Sequence, residues 1–202
     1  KIALQIIRQE NAGQSAARNR GLGAVTQANV MFFDQDDSCT TDHLEGLWSV
    51  LESDQQLTWC TSWFATIDQD GELIEPDALA SIRYQPPAPN VASFLAHNLM
   101  MLPSATIIRT SAVRAVAGFD VELQGYEDDD LFIRILSAGG RYAVQPRATL
   151  RYRLHTVNSS AAPTYRASRM RFFNKWVSNL QGDPGQLGVR DLSERMFRDV
   201  FG

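Results

Sequence analysis

The sequence predicts an α/β fold, a mixed sheet flanked by helices with further helices toward the C-terminus. Three observations carry that reading. Short runs such as Val30–Phe33 and Leu57–Ile67 are apolar, β-branched or aromatic, and segments with helical spacing and Gly or Pro stops lie between them. Strands and helices alternate early, which favours a sheet covered by helices. The bulk composition is that of a globular protein, 202 residues with 44% apolar and 21% charged, long enough for one domain with a full core.

Taken in order, Lys1–Arg8 reads as a short apolar strand. A helix follows from Ser15, a natural N-cap, through Ala16, Ala17, Ala24 and Val25. Gly21 and Gly23 interrupt it, each at about 1 kcal/mol relative to Ala, and so point to close approach of another backbone or a ligand. Val30–Phe33 is wholly apolar, the mark of a strand covered on both faces. A second helix is capped by Thr41, with Leu44, Leu47, Trp48 and Leu51 at helical spacing. Leu57–Ile67 is a strand, and Asp68–Gly71 turns it into another at Leu73–Ile74. Tyr84–Asn90 holds three prolines and reads as a loop, Val91–Met101 as a helix and Ala105–Arg109 as a strand. Ser111–Ala117 is a short helix stopped by Gly118, and Glu127 opens a longer one ending at Gly139-Gly140. Tyr142–Val144 and Thr149–Leu154 read as separate strands. Beyond Pro163 the pattern is helical, with a Gly/Pro break at Gly182–Gly188 before a last helix at Asp191–Phe201. This divides the chain into a domain over 1–160 and a helical extension over 161–202.

The charge balance excludes some functions. With 19 Lys+Arg against 23 Asp+Glu the net charge is −4, a poor start for binding nucleic acid, where clustered cations must neutralise phosphates. No apolar run approaches the ~20 residues of a membrane span. Cys39 and Cys60 make no disulfide framework and read as packing residues in a reducing, cytoplasmic setting. The chain runs straight from Lys1 into an apolar stretch, without Met or signal peptide, so a fragment is expected.

Two acidic clusters carry the chemistry. Asp34, Asp36 and Asp37 follow an apolar strand directly, where open α/β sheets bind ligands. Their mutual repulsion would be relieved by a hard cation such as Mg²⁺ or Mn²⁺; an acidic turn that caps the next helix is the plainer account. Glu127–Asp130 open a helix, where acids gain about 0.3–1 kcal/mol from the dipole. Four in succession exceed that need, which leaves room for a general base beside a reacting hydroxyl. His155 ends an alternating strand, and its imidazole could complete a metal shell. His43 and His97 read as ordinary surface or core residues.

Together these segments resemble family 2 glycosyltransferases of the GT-A fold. The matching stretches are Arg8–Gly21 (with Ala17-Arg18-Asn19), Phe32–Asp37, Gly118-Phe119-Asp120 with Gly125–Leu131, and Tyr152–His155, in family order. The resemblance implies a Rossmann-like nucleotide-diphospho-sugar transferase domain, a nucleotide-sugar donor, a divalent metal (Mn²⁺ or Mg²⁺) and inverting transfer to an acceptor hydroxyl on a glycan or lipid-linked molecule. Carried over by residue, Asp34 and Asp36 match the DxD motif, Asp36 on the metal that bridges the donor diphosphate and Asp34 nearer the ribose or sugar. Glu127-Asp128 matches the ED motif, with Asp128 as the base. Arg18 and Asn19 match the segment lining the nucleotide pocket, and His155 the late His that reaches the metal or diphosphate. The family's two opening strands are not matched, which implies that roughly 60 residues are missing at about 30 per βαβ unit.

Two other readings stay open. An apolar strand ending in Asp34-Gln35-Asp36 also resembles the aspartyl-nucleophile motif of haloacid-dehalogenase-type phosphatases, and a non-catalytic glycan-binding remnant of the fold fits the same pattern. Acceptor choice is expected in Trp59–Leu102, where Trp59, Trp63 and Tyr84 could stack on sugars, and in the C-terminal helices. Arg166, Arg169, Arg171 and Lys175 give one basic segment suited to peripheral membrane contact.

Overall fold

The computed structural model describes residues 3–155 and 163–180. Its elements run α1 (Gln14–Ala24), β1 (Asn29–Val30), β2 (Ser38–Cys39), α2 (His43–Ser53), β3 (Trp59–Ile67) and β4 (Leu73–Glu75). They continue with α3 (Ala78–Ser81), α4 (Val91–Ala96), a 3-10 turn at Pro103–Ala105, β5 (Thr106–Arg109), α5 (Thr110–Ala115), α6 (Glu127–Ser137), β6 (Tyr142–Arg153) and α7 (Pro163–Leu180). The strands form one mixed sheet in the order β1-β5-β3-β6-β2, with β4 paired to β3. β3 and β6 run parallel and the remaining pairs antiparallel.

β3 is the spine of the sheet because its residues are apolar or small on both sides. Alternate side chains of a strand point to opposite faces, and the two faces have different covers. Trp59 and Ile108 enter the large core with Leu22 of α1, Phe94 of α4, Val113 of α5, Phe132 and Ile135 of α6, and Phe172 and Trp176 of α7. Cys60 and Ile107, one residue along, pack with Leu47 and Leu51 of α2. A third cluster joins Phe64, Leu79, Ala105 and Leu150. The α/β class and the helix-flanked mixed sheet are as expected.

Several elements differ from the sequence reading, each for a physical reason. Residues 3–8 carry no strand, and Leu4 and Ile6 are exposed; among the described residues no neighbour takes up their backbone groups, and a strand exists only in a ladder. Helix α1 begins at Gln14 after Gly13, so Ser15 is a helical residue whose hydroxyl donates to the Leu123 carbonyl at 3.0 Å. A Cβ at Gly21 or Gly23 would meet nothing within 4 Å, so among the described residues no other backbone presses there. Of Val30–Phe33 only Val30 lies in the ladder, and Phe33 is exposed because β1 forms the sheet edge and leaves β5 after two residues. Asp42, not Thr41, sits at the N-cap of α2, and Leu44 and Trp48 face outward while His43, Leu47 and Leu51 are buried.

Helix α4 stops at Ala96, since His97 is extended and Met100 is left-handed at φ 50°. Phe94, Leu95, Leu99 and Met101 are all buried across that break. β6 is one strand rather than two. It accommodates Pro146 where the register shifts, with Ser62 opposite Gln145 but Trp63 opposite Ala148, so the proline stands in a bulge outside the ladder. Cys60 is buried, but Cys39 is exposed on the edge strand β2 and is not a packing residue. Helix α7 packs on α6 through Phe172 and Trp176; the break at 182–188 and the helix expected at 191–201 lie outside the described residues. No helix among the described residues is long and apolar enough to cross a membrane.

Candidate functional site

The first acidic cluster sits in the turn after β1, held by hydrogen bonds to both its backbone and its carboxylates. The Asp37 amide donates to the Asp34 carbonyl at 3.3 Å, closing the turn. The Asp34 amide donates to Ser104 Oγ at 2.9 Å. From the other side Arg153, near the end of β6, donates Nε to the Asp36 carbonyl at 2.9 Å and its amide to Asp37 Oδ1 at 3.2 Å. Burial lifts Asp37 above the ordinary carboxylate range, opposed by Ser104 and Arg153. The side chain of Asp36 turns outward to His155, with Oδ2 2.9 Å from Nε2.

The second cluster sits at the start of α6. Gly125 (φ 128°) and left-handed Tyr126 (φ 64°) make the tight entry, which lets Glu127 Oε2 accept from the Gly125 amide at 2.8 Å. The four acids then divide by partner. Glu127 Oε1 receives Arg18 at 3.0 Å. Asp130, fully buried, takes Arg134 Nε at 2.7 Å, Lys175 Nζ at 2.8 Å and Trp176 Nε1 at 3.1 Å, and so ties α7 to α6. Asp129 is buried, and its amide donates to Asp128 Oδ1 at 2.9 Å. Asp128 is the acid that burial, then the charges of Glu127 and Asp129, push up to about 8, with Arg18 pulling the other way. A carboxyl held there is matched to taking a proton near neutral pH.

Arg18 joins the two clusters. Its guanidinium, 9% exposed, reaches Asp34 Oδ1 at 2.7 Å with Nη2 and Glu127 Oε1 at 3.0 Å with Nη1, over the Phe119 ring at 5.2 Å. Asp34, Asp36, Asp37 and Asp128 all act on Tyr152, whose hydroxyl is raised by burial and then by those four charges.

Of the expected site residues, Arg18 pairs with Asp34 and Glu127, Asp36 pairs with His155, and Asp128 follows Glu127 at the start of α6. Asn19 joins neither pair. Its amide nitrogen donates to the Phe119 carbonyl and its oxygen accepts from the Phe119 amide, both at 2.8 Å. Asn19 thus clasps the Gly118-Phe119 turn, whose Gly118 is at φ 73° and has no room for a Cβ against the Asn19 side chain. Of the basic segment of α7, Arg166 and Arg171 are exposed, while Arg169 and Lys175 are partly buried. Arg169 reaches the Tyr126 hydroxyl at 3.2 Å, Arg171 the Glu122 carbonyl at 2.7 Å, and Lys175 both Asp120 and Asp130. Trp59 is fully buried, stacked on Phe132 and Tyr142. Trp63 and Tyr84 pack on the third cluster, so these aromatics serve the core. Ser104, Arg153 and Tyr152 belong to the site and went unassigned in the sequence; Ser104 has no local signal, while Arg153 and Tyr152 lay inside the Tyr152–His155 motif.

For a divalent cation, Asp36 and His155 offer one oxygen and one nitrogen 2.9 Å apart, each side chain nearly half exposed. Among the described residues no group of three His, Cys, Asp or Glu forms a cage. That pair fits a cation that keeps most of its shell for phosphate oxygens and water, the usual manner of Mg²⁺ at phosphate substrates.

Comparison with known proteins agrees with this geometry. The family model "Glycosyltransferase like family 2" matches residues 2–190. The pre-mycofactocin glycosyltransferases of two Mycobacterium tuberculosis strains (CDC 1551 / Oshkosh and ATCC 25618 / H37Rv) are 32% identical over 138 residues, covering 67% of this chain and 29% of theirs. Crystal structures of S. aureus TarS 1–349, alone and in complex with UDP-GlcNAc, superpose with TM-scores of 0.65 and 0.67 at 16% and 18% identity. They cover 95% and 96% of this chain and 53% and 55% of the TarS chains, and at that identity they show the shared fold. The aspartyl-nucleophile reading of Asp34 falls with these matches, and Asp34 is moreover paired with Arg18. With its two acidic clusters drawn together by Arg18 and its sequence matched from residue 2 to 190, the chain belongs to the family 2 glycosyltransferases.

Proposed function

We propose that this chain transfers a sugar from a nucleotide-diphosphate-sugar donor to an acceptor hydroxyl with inversion. The observation that carries the reading is the Arg18 bridge, which ties the Asp34–Asp37 turn to the start of the helix at Glu127. The TarS chain crystallised with UDP-GlcNAc supports a nucleotide sugar as the donor class.

Asp36 and His155 would hold Mn²⁺ or Mg²⁺ together with the donor diphosphate. Such a cation, when bound, offsets the charge that develops on the departing diphosphate. Asp34 lies beside Arg18 and faces the donor's sugar or ribose. On the opposite side Asp128 accepts the proton of the acceptor hydroxyl as its oxygen attacks the anomeric carbon. That carbon gains oxocarbenium character, as in glycoside hydrolysis. One in-line displacement breaks the sugar–phosphate bond and makes the glycosidic bond, so the configuration inverts and no covalent enzyme intermediate forms.

The acceptor class is a glycan or lipid-linked hydroxyl in the cytoplasm. A membrane-surface role for α7 has less support, because Arg169, Arg171 and Lys175 are engaged within the chain. The test is a panel of nucleotide-sugar donors with Mn²⁺ or Mg²⁺, read as nucleoside diphosphate release. Release that requires the cation and rises with an acceptor glycan is expected. Glycan binding without turnover of any donor would establish the non-catalytic reading instead.

A further inference from the structure

His43 is a buried titratable residue with no part in the chemistry above. It is 1% exposed at the first position of α2, and both ring nitrogens are engaged. Nε2 lies 3.0 Å from the Ser104 carbonyl and Nδ1 2.7 Å from Thr149 Oγ1. A carbonyl only accepts, so Nε2 carries a proton. Burial lowers the pKa of the ring and so favours its neutral form, in which Nδ1 accepts from the Thr149 hydroxyl.

Ser104 is fully buried and connects this ring to the acidic turn. Its carbonyl is held by His43, while its hydroxyl accepts from the Asp34 amide at 2.9 Å. The hydroxyl thus holds the start of the turn that presents Asp36, and the Asp37 amide closes that turn on the Asp34 carbonyl at 3.3 Å. Thr149, the other partner of His43, lies in β6 and accepts the Thr40 amide at 2.9 Å through its carbonyl. The same ring so fixes the turn to the strand that ends near His155.

We propose that His43 is a positioning residue which, by anchoring Ser104 and Thr149, sets the Asp34–Asp37 turn in the geometry that points Asp36 at His155. The positioning is a property of the protein without substrate; only its consequence for cation-dependent transfer rests on the glycosyltransferase reading. A ring that merely filled core volume would be replaceable by an apolar side chain with no local effect. A ring acting through its Nε2–H is replaceable only by a group that keeps that donor, and Gln keeps one at the equivalent distance along the side chain.

The experiment compares wild type, His43→Leu, His43→Gln and Ser104→Ala by amide hydrogen exchange, together with the Mn²⁺ dependence of nucleoside diphosphate release. In His43→Leu and Ser104→Ala the Asp34 and Asp37 amides are expected to exchange at least about tenfold faster, with β3 amides unchanged. His43→Gln is expected to restore protection to within about threefold. The half-saturating Mn²⁺ concentration is expected to rise in the first two variants more than kcat at saturating Mn²⁺ falls. Unchanged exchange at Asp34 and Asp37, or exchange that rises equally in β3, overturns the proposal, as does His43→Gln behaving like His43→Leu. If His43→Leu does not fold, Thr149→Val, which keeps the ring but removes its Nδ1 partner, decides by the same criterion. If wild type turns over no donor, the functional reading fails while the exchange result still decides the positioning.

Discussion

The two acidic clusters are alike in composition and unlike in treatment. In the Asp34–Asp37 turn the backbone is clamped by Ser104 and Arg153, and the Asp36 side chain faces outward to His155. At the start of α6 the acids are drawn inward, Glu127 onto Arg18 and Asp130 onto Arg134, Lys175 and Trp176, while Asp128 is lifted toward neutral pH. The difference teaches that the charge of a cluster does not set its use. Burial and partner do, one cluster turning a carboxylate outward to His155 and the other lifting a carboxyl toward neutral pH.

That contrast can be broken most severely at Arg18, which belongs to both halves. Arg18→Gln strands Glu127 in a site where its side chain is 8% exposed, and loss of one partner of a buried pair costs about 3–5 kcal/mol. Urea unfolding is expected to show a loss of that order; a loss under about 1 kcal/mol would mean that the bridge does not join the clusters.

The next largest effect sharpens the idea that Asp130 is structural. Lys175→Met leaves Asp130 its bonds to Arg134 and Trp176 but removes one cation, so about 1–3 kcal/mol is expected by thermal or chemical unfolding. Turnover per folded molecule should not change. A variant as stable as wild type but impaired in turnover would move Asp130 from anchoring to chemistry.

The pH profile separates the clusters without a substitution. A base works when deprotonated, and Asp128 is pushed up to about 8. Its active fraction, and with it kcat, is expected to rise about tenfold per unit below that pH and to level above it. A profile flat from pH 6 to 9 would remove Asp128 as the group whose ionisation limits transfer. The smallest effect is expected away from both clusters. Arg147 and Asp42 pair at 2.8 Å with side chains 62% and 44% exposed, and Arg147→Ala is expected to change stability by less than about 1 kcal/mol.

Much of this was legible in the sequence because it is local. A carboxylate cluster after an apolar run and four acids at a helix start are readable from adjacent residues, and the motif order supplied Arg18 and His155. What was not legible depends on partners distant in sequence. Ser104 and His43 matter because the fold lays the 3-10 turn and α2 against the acidic turn. Asn19 left the nucleotide pocket for the Phe119 backbone, a contact across 100 residues. Residues 3–8 have strand composition without a ladder, and Leu44 and Trp48 share the period of α2 without sharing its buried face. Periodicity states which residues lie together; it does not state what lies opposite them.

The central claim is that Asp128 is the base of a transfer whose donor side is held by the other cluster. The most direct measurement is kcat of Asp128→Asn at saturating donor, acceptor and Mn²⁺, beside its melting temperature. The amide removes the proton acceptor and also the charge that burial, Glu127 and Asp129 disfavour. Because the folded-state value is raised from 3.8 to about 8, wild-type stability falls as pH rises between those values and stays low above them. Near and above neutral pH the variant should therefore be the more stable of the two. The account predicts kcat lower by about 10²–10⁴-fold in a protein at least as stable as wild type. Undiminished kcat in a folded Asp128→Asn protein would contradict it.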